Sequence, residues 1–396
     1  MKFGSSVLRD PGHVGPVARE VKRVVQRGLM PVVVVSAMGD QTDYLLDLAA
    51  KVSPNPGRAC KRELDMLLTA GERISMSLVA MALNELGVKA RSYTGSQVGI
   101  ITDTNFGRAR IKQIRLFRIS EDMDKGTVPV VAGFQGISTE KEVTTLGRGG
   151  SDLTAVALAA SLGPDVGVSF YKDVSRVYSL NPKRFPGAKP VRSLDYDEAL
   201  EMSFFGSEVV HYRALALAAR AGVKLEVRAL DKGATRIGDD ALEAPGLKAV
   251  VSCSAVVLVL RDVPQHHKFE HQVITQLARA GVRVLSFSHG PEPDSLVFVL
   301  DSAEGHKAER VLKSLSDGFS VQTITGKALV SLVGHGVGSD PGMYQQAVAS
   351  FAETKTHIDA MTSSDLRLSF VIDQKDVPAV EENLAKRFDL VNGQGS

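Results

Sequence analysis

The 396-residue chain has few cysteines and no excess of charge of either sign. Its two cysteines, Cys60 and Cys253, lie far apart and outside any CxxC pattern, which argues against a zinc site and indicates a reducing compartment. The 47 basic and 45 acidic residues nearly cancel, whereas proteins that bind nucleic acid or a membrane surface usually carry a one-sided excess. The composition therefore predicts no nucleic-acid partner.

Long apolar runs are also missing. The opening residues MKFGSSVLRD lack the apolar core of a signal peptide, and no stretch reaches about 18 uninterrupted apolar residues. We therefore expect neither secretion nor a membrane span, which leaves a cytoplasmic enzyme or binding protein. The length allows two or three domains, each with its own core.

The first 230 residues alternate short β-branched runs with helical patterns. MPVVVVSAMG, VPVVAGFQG, VGVSFYKDV and VKLEVRAL predict buried strands. The helical patterns are VGPVAREVKRVVQRG, ERISMSLVAMALNELG and the long DEALEMSFFGSEVVHYRALALAARAG. This alternation predicts an α/β domain over residues 1–230, a mainly parallel sheet with helices on both faces. Ligands of such sheets bind at the carboxyl ends of the strands, where the small-residue loops SAMGD, GFQG, TGSQ and GRGGSD lie.

The last 150 residues contain an internal repeat. A strand, loop, helix, strand pattern starts at Val256 and again at Val330, and each copy is followed by another strand. A repeat of this length is typical of a compact β-α-β-β unit used twice. We therefore predict a linker over residues 231–250 and two small α+β modules over 251–325 and 326–396.

The segment TTLGRGGSD places glycines on both sides of Arg148 and leads into an alanine-rich helix. Its glycines permit positive φ and close backbone approach. Ser151 or Asp152 can cap the helix; alternatively, Asp152 orients a magnesium-bound phosphate and Arg148 binds a carboxylate through two hydrogen bonds. A capped turn with a surface arginine explains this motif equally well when it is considered alone.

Three other motifs are weak individually. Lys2 precedes Gly-Ser-Ser and can bind phosphate, but the GxxxxGK[ST] spacing is absent, and a solvated lysine is the simpler interpretation. Ser36 and Thr42 follow a buried strand, as turn and cap residues often do. Glu72 can receive an ammonium group or merely complement a helix dipole. His211 and the other histidines show no ligand spacing, and no protein-held metal site is predicted.

Taken together and in order, these motifs resemble aspartate kinases of the amino-acid kinase family. KFGSSV is similar to the family's KFGGTSV, and VVVVSAMGDQTDYLLDLA, LDMLLTAGERIS, SYTGSQVGIIT, VPVVAGFQG and TTLGRGGSDLTAVALAA are close to its core blocks. The C-terminal repeat resembles the family's paired regulatory ACT modules, which are ferredoxin-like βαββαβ units. The resemblance extends over nearly the full length.

The resemblance implies phosphoryl transfer from MgATP to the β-carboxylate of L-aspartate. This reaction gives 4-phospho-L-aspartate, at the start of lysine, threonine and methionine biosynthesis. It also implies magnesium held mainly through the nucleotide phosphates, an amino-acid effector at the ACT modules, and at least a homodimer. The residues carried over by motif are Lys2 and Asp152 for catalysis, Ser36, Thr42, Glu72, Arg148 and Ser151 for aspartate, and Gly4, Ser5, Ser6, Lys172, Asp173, Tyr178 and Lys183 for nucleotide.

The nucleotide segment departs from the family pattern. KDVSRVYSLNPK, residues 172–183, stands where TDVDGVYTADPR is typical. Glu208 occupies a position where a lysine often approaches the nucleotide, and a carboxylate there would repel phosphates; Lys172 and Arg176 are candidates to compensate. These changes leave the choice between ATP and GTP open.

Two further departures concern the N-terminus and the first module. Lys2 is the second residue, so either the first strand is shortened or the true start lies upstream. His266-His267-Lys268 stands where the second module has Asp340-Pro341-Gly342. This difference predicts either a surface loop or weakened feedback by lysine or threonine. Two alternatives to an active aspartate kinase follow, namely a catalytically weak homologue serving as a regulatory subunit and a kinase for another amino acid.

Overall fold

The computed structural model describes residues 1–207, 209–230, 233–238, 246–264, 267–290, 292, 294–315 and 318–392. The described residues form two compact units. The first contains the described residues of 1–177, 190–203 and 209–238, and the second contains those of 178–189, 204–207 and 246–392. The domain boundaries inferred from sequence, at residues 230, 250 and 325, stay predictions.

The strands of the described residues are numbered in chain order. They are β1 (Lys2–Phe3), β2 (Val33–Val35), β3 (Ala90–Tyr93), β4 (Ile100–Thr102), β5 (Ile111–Ile114), β6 (Val128–Ala132), β7 (Gln135–Ser138), β8 (Val143–Thr145), β9 (Val168–Tyr171), β10 (Val177–Tyr178), β11 (Pro190–Val191), β12 (Ser193–Leu194), β13 (Leu225–Arg228), β14 (Ala234–Ile237), β15 (Ala249–Arg261), β16 (Val284–His289), β17 (Leu296–Asp301), β18 (Ser320–Val333), β19 (Ala360–Ser364) and β20 (Arg367–Asp373).

The α-helices are numbered in the same way. They are α1 (Val14–Gln26), α2 (Gln41–Val52), α3 (Pro56–Ala59), α4 (Lys61–Leu68), α5 (Ala70–Glu85), α6 (Gly95–Val98), α7 (Phe117–Asp124), α8 (Gly150–Leu162), α9 (Tyr196–Phe204), α10 (Tyr212–Ala221), α11 (His267–Ala280), α12 (Gly305–Lys313), α13 (Pro341–Glu353) and α14 (Val377–Arg387).

An eight-stranded sheet organises the first unit, with strand order β12-β14-β13-β9-β1-β2-β6-β3. All neighbouring strands are parallel except β13 and β14, so the prediction of a mainly parallel sheet is confirmed. Four adjacent parallel strands, β9, β1, β2 and β6, end at one edge of the sheet. The residues that follow them, Lys172, Gly4, Ser36 and Gly133, therefore lie along that edge, where ligands of parallel sheets bind.

Helices cover both faces of this sheet. Alternation along the strands sends Phe3, Val35 and Tyr171 into one core, which α1 and α5 close with side chains such as Val17 and Val79. Helix α8 packs on β1, β2 and β9 and also on α10. It is buried on every side from Gly150 to Ala159, which explains why its sequence has no polar stripe.

Helix α5 forms part of an apolar segment, Lys61–Glu85, that is long enough to cross a membrane by length and composition alone. Half of its most apolar window is buried inside the protein. Met76, Val79 and Leu83 are buried in the core between α1 and the sheet. The burial of these side chains is typical of a helix in the core of a folded domain, so α5 is a core helix of the first unit.

The single long helical pattern predicted over DEALEMSFFGSEVVHYRALALAARAG is wrong. The chain forms two helices there, α9 and α10, because residues between them leave the helical conformation. Gly206 has φ of 132°, and a Cβ at this position would lie 2.2 Å from the carbonyl oxygen of Ser252. His211 is extended and caps α10, with its Nδ1 accepting a hydrogen bond from the Arg213 amide.

A smaller four-stranded sheet, with order β5-β4-β7-β8, leads into the glycine-rich loop. It is fastened to α4 by Asp65, a buried carboxylate. Asp65 accepts hydrogen bonds from the Thr145 amide at 2.7 Å, the Thr145 hydroxyl at 2.8 Å and the Gly107 amide at 3.0 Å. Burial raises the pKa of Asp65, although these hydrogen bonds oppose the shift. The end of β8 is therefore fixed immediately before Arg148.

The second unit is built from the internal repeat. Each copy supplies three strands and two helices, and the six strands form one antiparallel sheet, β16-β17-β15-β18-β20-β19. The two copies meet where β15 pairs with β18. Asp340 caps α13 by accepting from the Gly342 amide at 2.8 Å, as the Asp-Pro-Gly turn predicts. In the first copy His267 begins α11, and His266 lies outside the described residues.

Replacing Asp65 with alanine should lower the stability of the first unit. The buried amides of Thr145 and Gly107 would lose their acceptor, which costs about 3 kcal/mol and lowers the midpoint of thermal unfolding by several degrees. Asp124→Ala is the matched control, because Asp124 is an exposed carboxylate at the end of α7. Equal unfolding midpoints for the two variants would contradict the role given to Asp65.

Candidate active site

The centre of the site is a buried carboxylate between two lysines. Asp152, in the first turn of α8, lies with Oδ1 2.6 Å from Lys2 Nζ and Oδ2 3.9 Å from Lys172 Nζ. Its Oδ2 also accepts a hydrogen bond from the His211 amide at 3.2 Å. Lys2 and Asp152 are 4% and 5% exposed, so the group is almost fully withdrawn from water. Two ammonium groups therefore face one carboxylate.

The protonation state of Asp152 follows from these neighbours. Burial alone would raise its pKa, but the charges of Lys172 and Lys2 and the hydrogen bond from His211 act in the opposite direction. The net result is a pKa well below the usual range of an aspartate, so Asp152 is ionised at every working pH. Asp152 is therefore a fixed negative charge rather than a proton donor.

Lys2 is held by the sheet. Strand β1 contains only Lys2 and Phe3, yet it pairs in parallel with β2 on one side and β9 on the other. The Phe3 ring stacks on Tyr171 with centroids 4.5 Å apart. A solvated N-terminal lysine is therefore the wrong interpretation, because Lys2 is buried in the middle of the sheet.

Residues 4–8 form a tight turn after β1. The carbonyl of Gly4 accepts from the amides of Val7 at 3.0 Å and Leu8 at 2.9 Å. A Cβ on Gly4 would lie 3.4 Å from Lys2 Nζ, in ordinary van der Waals contact, so this turn lies directly beside the ammonium group. Ser5 is exposed and Ser6 half-buried, as hydroxyls that line a ligand path would be.

Glu72 is the second buried carboxylate of this edge of the sheet. It lies in the first turn of α5 and its Oε1 accepts from the Ala37 amide at 3.1 Å. Its Oε2 is buried and has no hydrogen-bond partner among the described residues. Burial raises the pKa of Glu72 to about 7, against the opposing hydrogen bond from Ala37 and the charge of Lys2. Such an oxygen is a ready acceptor for a ligand's ammonium group.

Close packing at Gly71 brings Glu72 to the end of β2. A Cβ on Gly71 would lie 2.8 Å from the Cβ of Ala37, so only glycine allows this approach. Ser36 follows β2 directly and Thr42 lies in the first turn of α2; both are half-buried. The structure therefore brings Ser36 and Glu72 to neighbouring positions, through Ala37.

The glycine-rich loop between β8 and α8 presents Arg148 at the surface. Gly147 and Gly149, on either side of it, have φ of 76° and 72°, as the glycine pattern predicts. The suggestion that Ser151 or Asp152 caps α8 is wrong, since Gly149 is the N-cap residue and the helix has no side-chain cap. Both side chains are buried in the first turn, where Asp152 pairs with Lys2 and Lys172 instead.

His211 contributes to this site, although its sequence context gave no ligand signal. Its amide holds Asp152, and its ring covers Gly149 so closely that a Cβ there would lie 2.1 Å from His211 Cγ. Two residues on, Arg213 donates hydrogen bonds to the carbonyls of Leu146 and Ala109. The start of α10 therefore contacts both ends of the glycine-rich loop, at Leu146 and at Gly149. The sequence signal that could have found it is the HYRA segment, whose family counterpart is HPRA.

The predicted nucleotide residues are divided between the two units. Lys172 and Asp173 follow β9 in the first unit, where Lys172 joins the Asp152 cluster and Asp173 is exposed. Tyr178 and Lys183 belong to the second unit, where Tyr178 packs against a core that contains Leu180. Lys183 is exposed, and its amide donates to Asn181 Oδ1 at 3.0 Å. Glu208 lies outside the described residues.

The charges present fit a nucleotide phosphate better than a directly bound metal ion. Asp152 is paired with two lysines, whereas Mg²⁺ prefers oxygen ligands whose charge is not already neutralised. Lys2 and Lys172 can share phosphate oxygens, as ammonium groups do in phosphate sites. Magnesium would then be held mainly by the phosphates.

Comparison with known proteins identifies the family. The model of the amino acid kinase family matches residues 1–229, and an ACT domain model matches residues 330–388. An aspartokinase of Corynebacterium efficiens is 37% identical over 407 residues, covering 98% of this chain and 95% of that protein.

Solved structures agree with this assignment at the level of the fold. E. coli aspartokinase III in complex with aspartate and ADP (R-state) superposes with a TM-score of 0.84 at 22% identity, covering 98% of this chain and 99% of that one. The same enzyme with lysine and aspartate (T-state) gives a TM-score of 0.74, at the same identity and with 98% of each chain covered. The chain belongs to the aspartokinases, within the amino acid kinase family.

Proposed function

We propose that this site transfers the γ-phosphoryl group of MgATP to the β-carboxylate of L-aspartate, with the roles given below. An oxygen of the β-carboxylate attacks phosphorus, the bond to the β,γ-bridging oxygen breaks, and ADP leaves with its electron pair. No covalent enzyme intermediate is required, so the protein has to position both substrates and neutralise charge.

The observation that carries the proposal is the pairing of two buried carboxylates with different surroundings at one edge of the sheet. Asp152 is neutralised by lysines, whereas Glu72 keeps a buried oxygen without a partner among the described residues. Glu72 therefore binds the ammonium group of aspartate. Ser36 and Thr42 hydrogen-bond the amino acid near it.

Arg148 completes the recognition of aspartate. It extends from a loop whose two flanking glycines are left-handed and whose base is fixed by Asp65 and Arg213. The guanidinium binds a substrate carboxylate through two parallel hydrogen bonds, and Ser151 supports it from the first turn of α8. An arginine on a fastened loop loses less conformational freedom on binding than one on a free loop.

Lys2 neutralises the phosphoryl group as it moves between the two oxygens. Asp152 holds the Lys2 ammonium at 2.6 Å in a nearly dry site, where the attraction to phosphate is stronger than in water. Lys172 adds a second cation and Gly4, Ser5 and Ser6 border the phosphate path. The nucleotide contacts inferred for Asp173, Tyr178 and Lys183 remain predictions.

Further parts of the proposal concern conditions and partners. Magnesium enters with the nucleotide and supplies charge neutralisation when bound. We expect a cytoplasmic homodimer or larger assembly, with an amino-acid effector at the ACT repeats and a place in lysine, threonine and methionine synthesis. The intact Lys2, Asp152 and Glu72 arrangement favours an active kinase over a regulatory homologue.

The direct test is turnover with L-aspartate and MgATP, with the acyl phosphate trapped as its hydroxamate. The proposal predicts hydroxamate that depends on both substrates, and parallel reactions with GTP and with L-glutamate measure the two specificities. Hydroxamate with glutamate but not aspartate would indicate a kinase for another amino acid. Absence of product with every acid would favour the regulatory homologue.

The affinity for aspartate should depend on pH through Glu72. Its pKa of about 7 means that the carboxylate is ionised above pH 7 and neutral below, so the ammonium of aspartate loses its partner as the pH falls. We expect the KM for aspartate to rise about tenfold from pH 8 to pH 6. Initial rates at several aspartate concentrations measure this change.

Glu72→Gln should show a high KM with no such dependence on pH, because an amide carries no charge in this range. Glu85→Gln is the control, since Glu85 is exposed at the other end of α5. A wild-type KM that is the same at pH 6 and pH 8 would contradict the role of Glu72.

Gly149→Ala should reduce kcat/KM for aspartate by more than about tenfold. The new methyl would collide with the His211 ring and displace the loop, and displacement of about 1 Å costs up to ~100-fold in rate. Gly126→Ala is the control for backbone strain without a collision. Gly126 has nearly the same φ, 73°, and nothing lies within 4 Å of the new methyl. Equal losses in both variants would indicate strain alone.

A further inference from the structure

A bulky residue with a left-handed backbone lies beside the glycine-rich loop. Phe134 has φ of 69°, a conformation that costs free energy for any residue with a Cβ and is a genuine outlier for a large side chain. It follows Gly133, at the carboxyl end of β6, on the edge of the sheet that carries the site. Strained residues persist only where the surrounding contacts enforce them.

The enforcing contacts come from the segment that carries Arg148 and Asp152. The Phe134 amide donates to the hydroxyl of Thr154 at 3.1 Å, and the Phe134 carbonyl accepts from the Leu146 amide at 2.8 Å. Thr154 donates in turn to the Gly150 carbonyl at 2.8 Å. Phe134 is therefore tied to both the beginning and the end of the loop.

Steric fit couples the same two segments. A Cβ on Gly150 would lie 2.8 Å from the Phe134 ring, and one on Gly133 would lie 2.8 Å from Ser151 Cβ. The two segments are in direct contact, so a rotation of Phe134 out of its left-handed conformation would displace Gly150 and Ser151. The geometry of Arg148 and Ser151 then depends on Phe134.

We propose that Thr154 is a positioning residue for the kinase reaction. Its hydroxyl accepts a hydrogen bond from the Phe134 amide and stabilises the strained backbone of Phe134. Thr154 thereby fixes the conformation of the loop that binds the carboxylates of aspartate. This inference rests on the proposed function, because it assigns aspartate binding to Arg148 and Ser151. Threonine hydroxyls in helices commonly donate a hydrogen bond to the carbonyl four residues earlier. A Thr154 hydroxyl with only that role would not affect the binding of aspartate.

The test compares two changes at Thr154. Thr154→Val keeps the shape but removes the acceptor, and it should raise the KM for aspartate at least about tenfold while the KM for ATP stays within about twofold. Thr154→Ser keeps the hydroxyl and should return the KM for aspartate to within about threefold of the unchanged protein. Ser161→Ala is the control, because Ser161 makes the same backward hydrogen bond in α8, to Ala157 at 2.8 Å.

Repeating the Thr154→Val change in a Phe134→Gly protein shows whether Thr154 acts through Phe134. Glycine adopts positive φ without strain, so in a Phe134→Gly protein the Thr154→Val change should alter the KM for aspartate by less than about threefold. The full tenfold effect in that background would overturn the inference, as would a wild-type KM in Thr154→Val alone.

Stability separates positioning from general loss of structure. Aspartate affinity by calorimetry should fall in Thr154→Val even at temperatures far below its unfolding midpoint. If the Thr154→Val variant does not fold but the Phe134→Gly/Thr154→Val double variant does, the rescue supports the inference that Thr154 stabilises the strained backbone of Phe134. If neither variant folds, the inference is overturned. Absence of aspartate-dependent turnover in the unchanged protein would overturn the proposed function and this inference with it.

Discussion

The site depends on the burial of Asp152 between Lys2 and Lys172. A carboxylate removed from water is costly unless its charge is neutralised, and two ammonium groups and one amide do this here. The three side chains come from α8, β1 and the residue after β9, so the ion cluster forms only when sheet and helix are packed. The two ammonium groups are consequently in place before any phosphate binds, so the cluster is preorganised for transfer.

The remaining parts bring aspartate to that charge. Parallel strands end at one edge and place Ser36 next to Ala37, whose amide orients Glu72. The glycine-rich loop is fixed at its entry by Asp65 and covered at its exit by His211. The residues assigned to the amino acid and to the phosphoryl group share one scaffold, because Ser151 and Asp152 are adjacent in the first turn of α8.

Much of this arrangement could be predicted from sequence, because the β-branched runs that form β2, β6 and β9 are continuous and each ends in small residues. The mainly parallel sheet and the positions of Lys2, Glu72 and Asp152 followed from that pattern and from the family resemblance. The break between α9 and α10 could not be predicted, since the close contact of Gly206 with Ser252 joins residues distant in sequence. The strain at Phe134 was hidden for the same reason: the Thr154 hydroxyl that holds it lies 20 residues away.

The central claim is that Lys2, held by Asp152, acts on the transferring phosphoryl group rather than on aspartate. The most direct measurement is therefore kcat by hydroxamate formation together with the aspartate Kd by calorimetry for Lys2→Met. The account predicts a kcat lower by about 100-fold or more, with the Kd for aspartate within about threefold. A kcat within about threefold of the unchanged protein would contradict it, and so would a loss confined to aspartate binding.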